Sequence, residues 1–426
     1  MNIQTPLPDA AAPASADALP LRILLTGYRS HPHVGGQGVY LRELARALRD
    51  LGHQVTVASG PPYPELDAGI ALVKLPSLDL FETENAFKAF RPGFLTRWAD
   101  FCEWASHNTG GFGEPYAFGE RLARYLATHH GDFDVIHDNQ TLASAFARIN
   151  RRIPVVATIH HPVAIDRDFA LASAEKRVDR WLTRRWYGFT GMQARTAASL
   201  SGLLAVSAAA RDSHARIYGL DRSRISVAFN GIDHDVFRPD PSTQREAGLI
   251  AATASADVPI KGVDVLMEAF CDLAGKRPDL RLELIGRLRE GKAKARLDAS
   301  GLSDRVICRS GVTREEIADL YRRATLVACP ARFEGFGFPA AEAMACGAPV
   351  VASDGGALPE VVGDAGLVVP AGDSGAFASA MARVLDGPDL ARRLGETGTA
   401  RARQEFDWRR HAEAAVKLYR RALAKC

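Results

Sequence analysis

The strongest constraint on the fold is a short apolar segment near the start of the chain that is followed by an amphipathic segment and a second apolar segment. Residues 22–27 (RILLTG) predict a strand that ends in glycine, and residues 54–58 (QVTVA) predict the next strand. Between them, apolar residues follow the i, i+3, i+4, i+7 spacing of a helix: Leu41, Leu44, Ala45 and Leu48. A strand–helix–strand unit of this kind builds a parallel sheet that is covered by helices.

Similar apolar segments recur in two sets along the chain. The first set comprises residues 22–27, 54–58, 134–137, 154–160, 203–207 and 225–229. The second set comprises residues 280–286, 306–308, 325–329, 349–353 and 367–369. A chain of 426 residues is too long for one ordinary core. We therefore predict an α/β fold with two domains, each of which has its own parallel sheet.

Composition suggests where the domains begin and end. Residues 1–20 are rich in Ala, Pro and Asp, and we predict a disordered tail. Turn residues precede a polar run at 240–246, which predicts a domain boundary at residue 238. We thus predict an N-terminal domain at 21–238, a C-terminal domain at 239–407 and a final helical segment at 408–426.

The bulk properties exclude several classes of protein. A formal net charge of +3 is too small to argue for nucleic acid as a partner. No run of 18 apolar residues is present, and the N-terminus lacks the charged and apolar regions of a signal peptide. The six cysteines are scattered without a Cys-x-x-Cys pair, as is typical of reduced thiols. We expect a cytoplasmic protein.

The segment 333–347 (FEGFGFPAAEAMACG) carries the most functional information. Glu334 and Glu342 bracket a glycine-rich turn, and Pro339 suits the first position of a new helix. Glycine allows the backbone to approach a ligand closely, and free N–H groups at a helix start attract phosphate. Donors for phosphate and carboxylates for hydroxyls together suit a nucleotide sugar. The alternative is a plain strand–turn–helix corner with two solvated glutamates.

This segment closely resembles the signature of the family-four retaining glycosyltransferases, whose GT-B fold has two Rossmann-like domains facing each other across a cleft. The signature has two glutamates with seven residues between them, as Glu334 and Glu342 have. The resemblance extends over nearly the whole chain from about Leu21 and is weakest between Leu66 and Tyr125. It implies that Glu334 contacts the donor sugar and that Glu342 binds the nucleotide ribose. It also implies that backbone N–H groups of the turn meet the diphosphate and sugar: Phe336, Gly337 and Phe338.

The glycine-rich loop at 34–39 (VGGQGV) admits a rival interpretation as a dinucleotide-binding loop. That motif needs a third glycine where Leu41 stands, and an acidic residue in the region that Ser59 and Gly60 occupy. NAD is therefore disfavoured as a cofactor, and we predict none. The resemblance instead implies that Gly35 and Gly36 lie beside the donor phosphates and the acceptor.

His160 and His161 end the predicted strand at 154–160. Ligands bind beyond the carboxyl ends of parallel strands, so an imidazole there can donate to a sugar hydroxyl or share a proton. A lone histidine is more often structural. The resemblance places a histidine at the end of this strand near the donor sugar, and His160 aligns best, with His161 as the second choice.

The cation set for the leaving diphosphate departs from the family pattern. The family usually has an Arg and, five residues later, a Lys; Lys261 matches, but Ala256 stands where the Arg is expected. Either Arg287 or an arginine of the N-terminal domain could substitute, or Lys261 and the turn amides could suffice. The family does not need a metal, and we predict none.

The segment 176–195 has six basic residues and one acidic residue, together with tryptophan. If it is helical, Val178, Leu182, Trp186 and Phe189 form one stripe, which is typical of an element at a membrane surface. The alternative is a helix that packs on its own domain. Lipid-linked acceptors are common in the resembling family, and we predict a peripheral contact with the inner face of the membrane.

We predict a retaining glycosyltransferase that moves a hexose-type sugar from a nucleoside diphosphate sugar, with UDP favoured, to a hydroxyl of a glycan or lipid-linked acceptor. The resemblance implies front-face displacement, in which the departing phosphate takes the acceptor proton. Lys261, Glu334 and His160 are the predicted catalytic residues. The alternatives are a sugar phosphorylase, a nucleotide-sugar epimerase, and a non-catalytic protein that binds a nucleotide sugar.

Overall fold

The chain forms two wholly parallel sheets in a computed structural model that describes residues 19–31, 36–80, 83, 85–254 and 257–425. The strands of the first sheet are β1 (Arg22–Gly27), β2 (Gln54–Ser59), β3 (Ala71–Lys74), β4 (Val135–Asn139), β5 (Val155–Ile159), β6 (Gly202–Ala205) and β7 (Ile225–Val227), in the order β3-β2-β1-β4-β5-β6-β7. The strands of the second sheet are β8 (Glu246–Thr253), β9 (Arg281–Ile285), β10 (Val306–Arg309), β11 (Ala324–Cys329), β12 (Val350–Ser353) and β13 (Gly366–Val369), in the order β10-β9-β8-β11-β12-β13. The predicted fold class is confirmed.

Helices connect the strands and cover the sheets. They are α1 (Gly36–Asp50), α2 (Trp98–Asn108), α3 (Glu114–His129), α4 (Ser144–Ile149), α5 (Val163–Ser173), α6 (Arg177–Trp186), α7 (Thr190–Ser199), α8 (Ala208–Tyr218), α9 (Val263–Ala274), α10 (Lys292–Ser300), α11 (Arg314–Arg323), α12 (Phe338–Ala345), α13 (Leu358–Val362), α14 (Ser374–Asp386), α15 (Pro388–Glu405) and α16 (Trp408–Leu423). The apolar face predicted for α1 is buried, as its spacing indicates. Across the described residues, no helix combines the length and apolar character that crossing a membrane requires.

Strands β3 and β8 were missing from the sequence prediction, although β8 pairs with both β9 and β11 inside the second sheet. The sequence of β8, EAGLIAAT, has few of the β-branched and aromatic residues that mark strands. Its Gly248 has φ of +74°, and a Cβ there would lie 2.5 Å from the carbonyl oxygen of Asp279. The position of β8 therefore depends on close packing against the backbone before β9 and on pairing with β9 and β11, rather than on local strand propensity.

The basic segment 176–195 does not form one helix. Helix α6 ends at Trp186, a 3₁₀ turn covers Tyr187–Phe189, and α7 begins at Thr190. The predicted stripe is therefore wrong as a single helical face: Val178 and Leu182 are exposed, whereas the Trp186 ring stacks on Phe112 with centroids 5.2 Å apart.

The last helix, α16, lies against the first sheet although it follows the second sheet in sequence. Its buried face shares a core cluster with α1 and the strands β1, β2, β4, β5 and β6. Two buried hydrogen bonds add to this packing: Tyr419 Oη to His137 Nδ1 at 2.5 Å, and Tyr40 Oη to His411 Nε2 at 2.9 Å. The exact domain boundaries stay a prediction.

Candidate functional site

The loop after β11 holds both glutamates of the glycine-rich turn in fixed positions. Glu334 forms an isolated parallel bridge with Gly356, and its carbonyl accepts a 2.9 Å hydrogen bond from the Ala357 amide. Gly337 has φ of +100° and caps α12, which begins at Phe338. Pro339 is thus the second helical residue, where the sequence predicted the first. Both positions suit proline because their N–H groups have no intrahelical acceptor.

The start of α12 offers backbone donors. Within the described part of the chain, the N–H groups of Phe336, Gly337 and Phe338 donate to no other residue. Free N–H groups at a helix N-terminus favour an anion, because the helix dipole adds partial positive charge. The side chain of Phe336, in contrast, is buried among Phe229, Phe338 and Phe406. Only its backbone can therefore serve the predicted contact with a diphosphate.

Lys261 and Glu334 meet directly. Lys261 ends a 3₁₀ turn before α9, and its Nζ donates to Glu334 Oε1 at 2.7 Å. Gly262 brings the two loops together, because it has φ of +66° and a Cβ there would lie 2.1 Å from the Pro330 carbonyl oxygen. The Lys261 and Glu334 side chains remain 28% and 18% exposed, so a ligand can reach both.

Arg332, which the sequence analysis did not single out, supports this pair. Its guanidinium binds both oxygens of Asp264, at 2.7 and 2.8 Å, and its backbone N–H donates to the Ile260 carbonyl at 2.7 Å. A bidentate Arg–carboxylate pair fixes geometry as well as charge. Arg332 therefore fastens the Lys261 loop to the Glu334 loop.

Glu342 occupies a different environment from Glu334. Burial raises the pKa of its carboxyl to about 8, although the Arg314 guanidinium acts in the opposite direction. No described residue forms a hydrogen bond with the Glu342 carboxyl. Arg314 itself binds Glu43 and Asp233, each at 3.2 Å. Glu342 is thus an unsatisfied carboxyl that a pair of ligand hydroxyls could complete.

His160 is held as a neutral imidazole. Burial lowers its pKa to about 3, with smaller contributions from His411, His214 and His161. Its Nε2 lies 2.6 Å from Asn139 Oδ1, and its ring packs edge-on against Tyr40 with centroids 4.5 Å apart. Neighbouring His161 hydrogen-bonds Asp166 at 2.6 Å.

The two halves of the molecule meet at His160, the first residue after β5. A Cβ on Gly335 would lie 2.0 Å from the His160 carbonyl oxygen, so the glutamate loop touches the end of this strand. Ser207 Oγ donates to the Gly335 carbonyl at 2.6 Å, and the His161 and Phe333 rings are 5.1 Å apart. The structure therefore brings His160 next to the Glu334 loop, as neither sheet could do alone.

The remaining predicted residues divide into three cases. Gly36 lies beside this site, since a Cβ there would be 3.5 Å from the Phe338 ring. Arg287 is exposed after β9, where its Nε lies 3.4 Å from Ser310 Oγ, and it contacts neither Lys261 nor Glu334 among the described residues. Gly35 and Ala256 lie outside the described residues. The functional roles of all these residues stay predictions.

Sequence reasoning also missed residues that hold the site together. Asn139 ends β4, so the rule that pointed to His160, directly after β5, could have found it. The role of Glu360 as a link was not predicted, yet its carboxylate accepts from the Ala208 and Ala209 amides of the other half, at 2.8 and 2.5 Å. Over the described ranges, no group of three or more His, Cys, Asp or Glu side chains could hold a metal ion.

Two family models match the chain. The model for "Glycosyl transferases group 1" matches residues 239–401, and that for "Glycosyltransferase Family 4" matches residues 34–236. An MMP alpha-(1->4)-mannosyltransferase of Mycolicibacterium hassiacum is 43% identical over 416 residues, which are 95% of this chain and 99% of that protein. A D-inositol 3-phosphate glycosyltransferase 2 of Catenulispora acidiphila is 29% identical over 96% of each chain.

The fold has solved counterparts. Sucrose-phosphate synthase from Thermosynechococcus elongatus superposes with a TM-score of 0.71 at 21% identity, over 95% of this chain and 100% of that chain. At this identity the likeness shows the fold alone, and that fold is two parallel-sheet α/β halves.

Proposed function

Because the chain belongs to the group 1 glycosyltransferases of glycosyltransferase family 4, we propose that it transfers a hexose-type sugar from a nucleoside diphosphate sugar to a hydroxyl group, with retention of the anomeric configuration. Glycosyl transfer from a sugar donor is the activity of the family. The finer proposal rests on one observation. Glu334 pairs with Lys261, and the loop that carries Glu334 contacts the backbone of His160, directly after β5.

Each residue of the site has a proposed part in the reaction. Lys261 and the amides at the start of α12 stabilise negative charge on the departing diphosphate. Glu334 binds a sugar hydroxyl, and Glu342 binds the ribose diol. The departing phosphate accepts the proton of the attacking hydroxyl, so the protein supplies neither nucleophile nor general base. Transfer needs no metal, because Lys261 and the amides supply the positive charge.

The alpha linkage in the name of the 43% identical relative supports retention and a mannosyl donor. Activated mannose is an alpha-linked diphosphate sugar, so an alpha product keeps the anomeric configuration. The (1->4) linkage in the same name supports a glycan hydroxyl as the acceptor of this chain. We keep UDP as the predicted nucleotide, and the mannosyl relative makes GDP-mannose the competing donor.

Contact with a membrane surface is a separate proposal. Helix α6 buries no residue, and Trp181 and Val178 are 59% and 57% exposed. Arg180 and Arg184 lie on the same helix, so apolar and basic side chains are available together for an anionic lipid surface. A cytoplasmic protein held at the inner face of the membrane is consistent with this arrangement.

The experiment measures thermal stabilisation by UDP, GDP, ADP, NAD, UDP-glucose and GDP-mannose, with the wild type and Glu342→Ala. A ligand at 100 times its Kd stabilises the folded state by about 2.7 kcal/mol, which is easily detected. We expect one nucleotide and its sugar to stabilise the wild type and to lose this effect in Glu342→Ala. Stabilisation by NAD alone would contradict the proposal.

Product analysis then separates the alternatives on the same fold. A transferase releases nucleotide in proportion to added acceptor, whereas an epimerase converts the donor without an acceptor. A phosphorylase consumes inorganic phosphate, and a binding protein releases no nucleotide. The anomeric proton signal of the product decides between retention and inversion.

A further inference from the structure

The loop after β4 has an unusual backbone beside His160. Gln140 and Leu142 have φ of 53° and 51°, a left-handed conformation that side chains other than glycine rarely adopt. The buried Asp138 carboxylate accepts from the Leu142 amide at 2.7 Å, and Gln193 Nε2 donates to the carbonyls of Gln140 and Thr141, at 3.3 and 3.4 Å. Strain of this kind persists only where the surroundings enforce it, and it concentrates at functional sites.

The strained loop directs one side chain at the backbone of the neighbouring strand end. Gln140 Oε1 accepts from the amides of His160 and His161, the latter at 3.1 Å, and its Nε2 donates to the His161 carbonyl. A single glutamine side chain thus binds three backbone groups at the carboxyl end of β5. This arrangement fixes the position from which the His160 side chain extends.

Asn139 hydrogen-bonds the imidazole of His160, and the orientation of the Asn139 amide is determined by its second partner. Its Nδ2 donates to the Gln37 carbonyl at 3.0 Å, and a carbonyl can only accept. The Asn139 Oδ1 must therefore face His160 Nε2, at 2.6 Å. Since Oδ1 also can only accept, Nε2 carries the ring proton.

The second ring nitrogen is consequently a lone-pair acceptor. His160 Nδ1 has no hydrogen-bond partner among the described residues. This nitrogen is not fully buried. The titratable groups that act on this ring come from four parts of the chain: His161 in the loop after β5, Tyr40 on α1, His214 on α8 and His411 on α16. None of them is a carboxylate that would favour a charged imidazole.

We propose that Asn139 is a positioning residue that holds His160 as the tautomer protonated on Nε2, so that Nδ1 accepts a hydrogen bond from a hydroxyl of the donor sugar. The hydroxyl partner rests on the proposed function, whereas the tautomer does not. In this arrangement His160 accepts the hydrogen bond of the sugar hydroxyl, whereas the sequence suggested that His160 donates it. This arrangement also makes the site selective for a hydroxyl, because a fluorine or a methyl ether at that sugar position cannot donate.

The first test is ¹⁵N NMR of protein labelled at histidine nitrogens, with His160→Gln to assign the signal. We expect wild-type His160 to show a protonated Nε2 and an unprotonated Nδ1. Asn139→Leu should give a mixture of tautomers, because the acceptor is gone. A protonated Nδ1 in the wild type, or an unchanged spectrum in Asn139→Leu, would overturn the proposal.

A matched control comes from the start of β5, at the end of that strand opposite to His160. Asn150 Oδ1 accepts from the Val155 amide and Ser201 Oγ, each at 2.7 Å, where β5 begins. Asn150→Asp should lower thermal stability and leave the His160 spectrum unchanged. Asn139→Asp keeps an acceptor opposite Nε2 but adds a negative charge, so it should retain the tautomer and raise the His160 pKa by at least about one unit.

The second test is the pH dependence of nucleotide release from GDP-mannose and from UDP-glucose, each with an alpha-(1->4)-linked mannose oligosaccharide as the hydroxyl acceptor. The pH range must extend to about 3.5, because the wild-type pKa of His160 is about 3. The Asn139→Asp rate should fall about tenfold per unit below the raised pKa, so its fall should begin at least about one pH unit above the fall of the wild type. Charged His160 loses its acceptor at Nδ1, which explains the sign. Identical pH profiles for both proteins would refute the acceptor role. A correct tautomer without any release from either donor would instead count against the proposed function.

Discussion

At the scale of single residues, the two glutamates of the signature differ in their surroundings. Glu334 already has a cation at 2.7 Å, whereas Glu342 is half-buried and lacks a hydrogen-bond partner among the described residues. Desolvation without a partner disfavours the charged form of the Glu342 carboxyl. One spacing motif therefore yields two carboxyls suited to different tasks.

Nucleotide affinity should rise with pH through the Glu342 carboxyl. Its pKa of about 8 leaves it mostly protonated at pH 7, while a ribose diol binds better to the ionised form. Binding then releases a proton, and affinity should increase by up to about tenfold per unit as pH approaches 8 from below, with a plateau above. Calorimetry with UDP and GDP at pH 6.5, 7.5 and 8.5 measures this slope.

Glu342→Gln provides the control for that slope. It keeps the size of the side chain and removes the titration, so any remaining pH dependence belongs to the nucleotide's own phosphate. Equal slopes in both proteins would remove the ribose role of Glu342.

Glu334→Ala should reduce sugar transfer much more than nucleotide binding. The change removes a sugar contact and frees Lys261, and we expect kcat to fall on the order of 10²-fold while nucleotide Kd changes less than about threefold. Steady-state kinetics and calorimetry measure the two quantities. The exposed Glu396 is the matched control, and full activity of Glu334→Ala would contradict its assignment.

At the scale of elements, helix α6 shows how a sequence pattern can be right in composition and wrong in geometry. Its basic and aromatic residues are present, but the helix ends at Trp186, which stacks on Phe112. Arg185 Nη2 also donates to Thr109 Oγ1 at 2.8 Å. One face of α6 is thus held on its own domain, and the face with Trp181 and Val178 is left exposed.

Replacement of Trp181 and Arg184 by Ala should weaken binding to vesicles that contain anionic lipid. One exposed aromatic residue and one charge are lost, and a charge near such a surface contributes about 1 kcal/mol, so we expect at least about a fivefold loss. Trp186→Ala is the comparison, and it should lower thermal stability because a stacked ring is removed. Vesicle sedimentation that shows no difference for the double variant would favour a helix that only packs on its own domain.

At the scale of the whole molecule, the two sheets are linked at the site itself. Glu360 accepts from the first amides of α8, and Ser207 donates to the Gly335 carbonyl. A carboxylate at a helix N-terminus is stabilised by the helix dipole as well as by hydrogen bonds. This contact ties the glutamate loop to the half of the molecule that carries His160.

Glu360→Gln should loosen this link without changing side-chain size. The neutral amide keeps one acceptor and loses the charge, so the Ala208 and Ala209 amides should exchange with solvent about tenfold faster. Hydrogen exchange with mass spectrometry measures the change, and Glu396→Gln serves as the surface control. Unaltered exchange at the start of α8 would show that this contact does not govern the link.

The sequence by itself determined the parallel sheets and the glutamate signature, and it predicted a functional role for His160, which follows β5. Periodicity, glycine turns and residue spacing are local properties, so they can be read without a structure. The family resemblance added the roles expected of Lys261 and Glu342. Strand β8 was missed because its small residues carry little strand propensity of their own.

Only the tertiary structure decided which of these residues meet. Asn139 and His160, Lys261 and Glu334, and Gly335 and the end of β5 are distant in sequence and are joined by contacts between strand ends and between the two sheets. The left-handed backbone of Gln140 and the raised pKa of Glu342 likewise depend on what surrounds them. Side-chain direction, burial and the partner of a charge are properties of packed neighbours, and a linear pattern does not contain them.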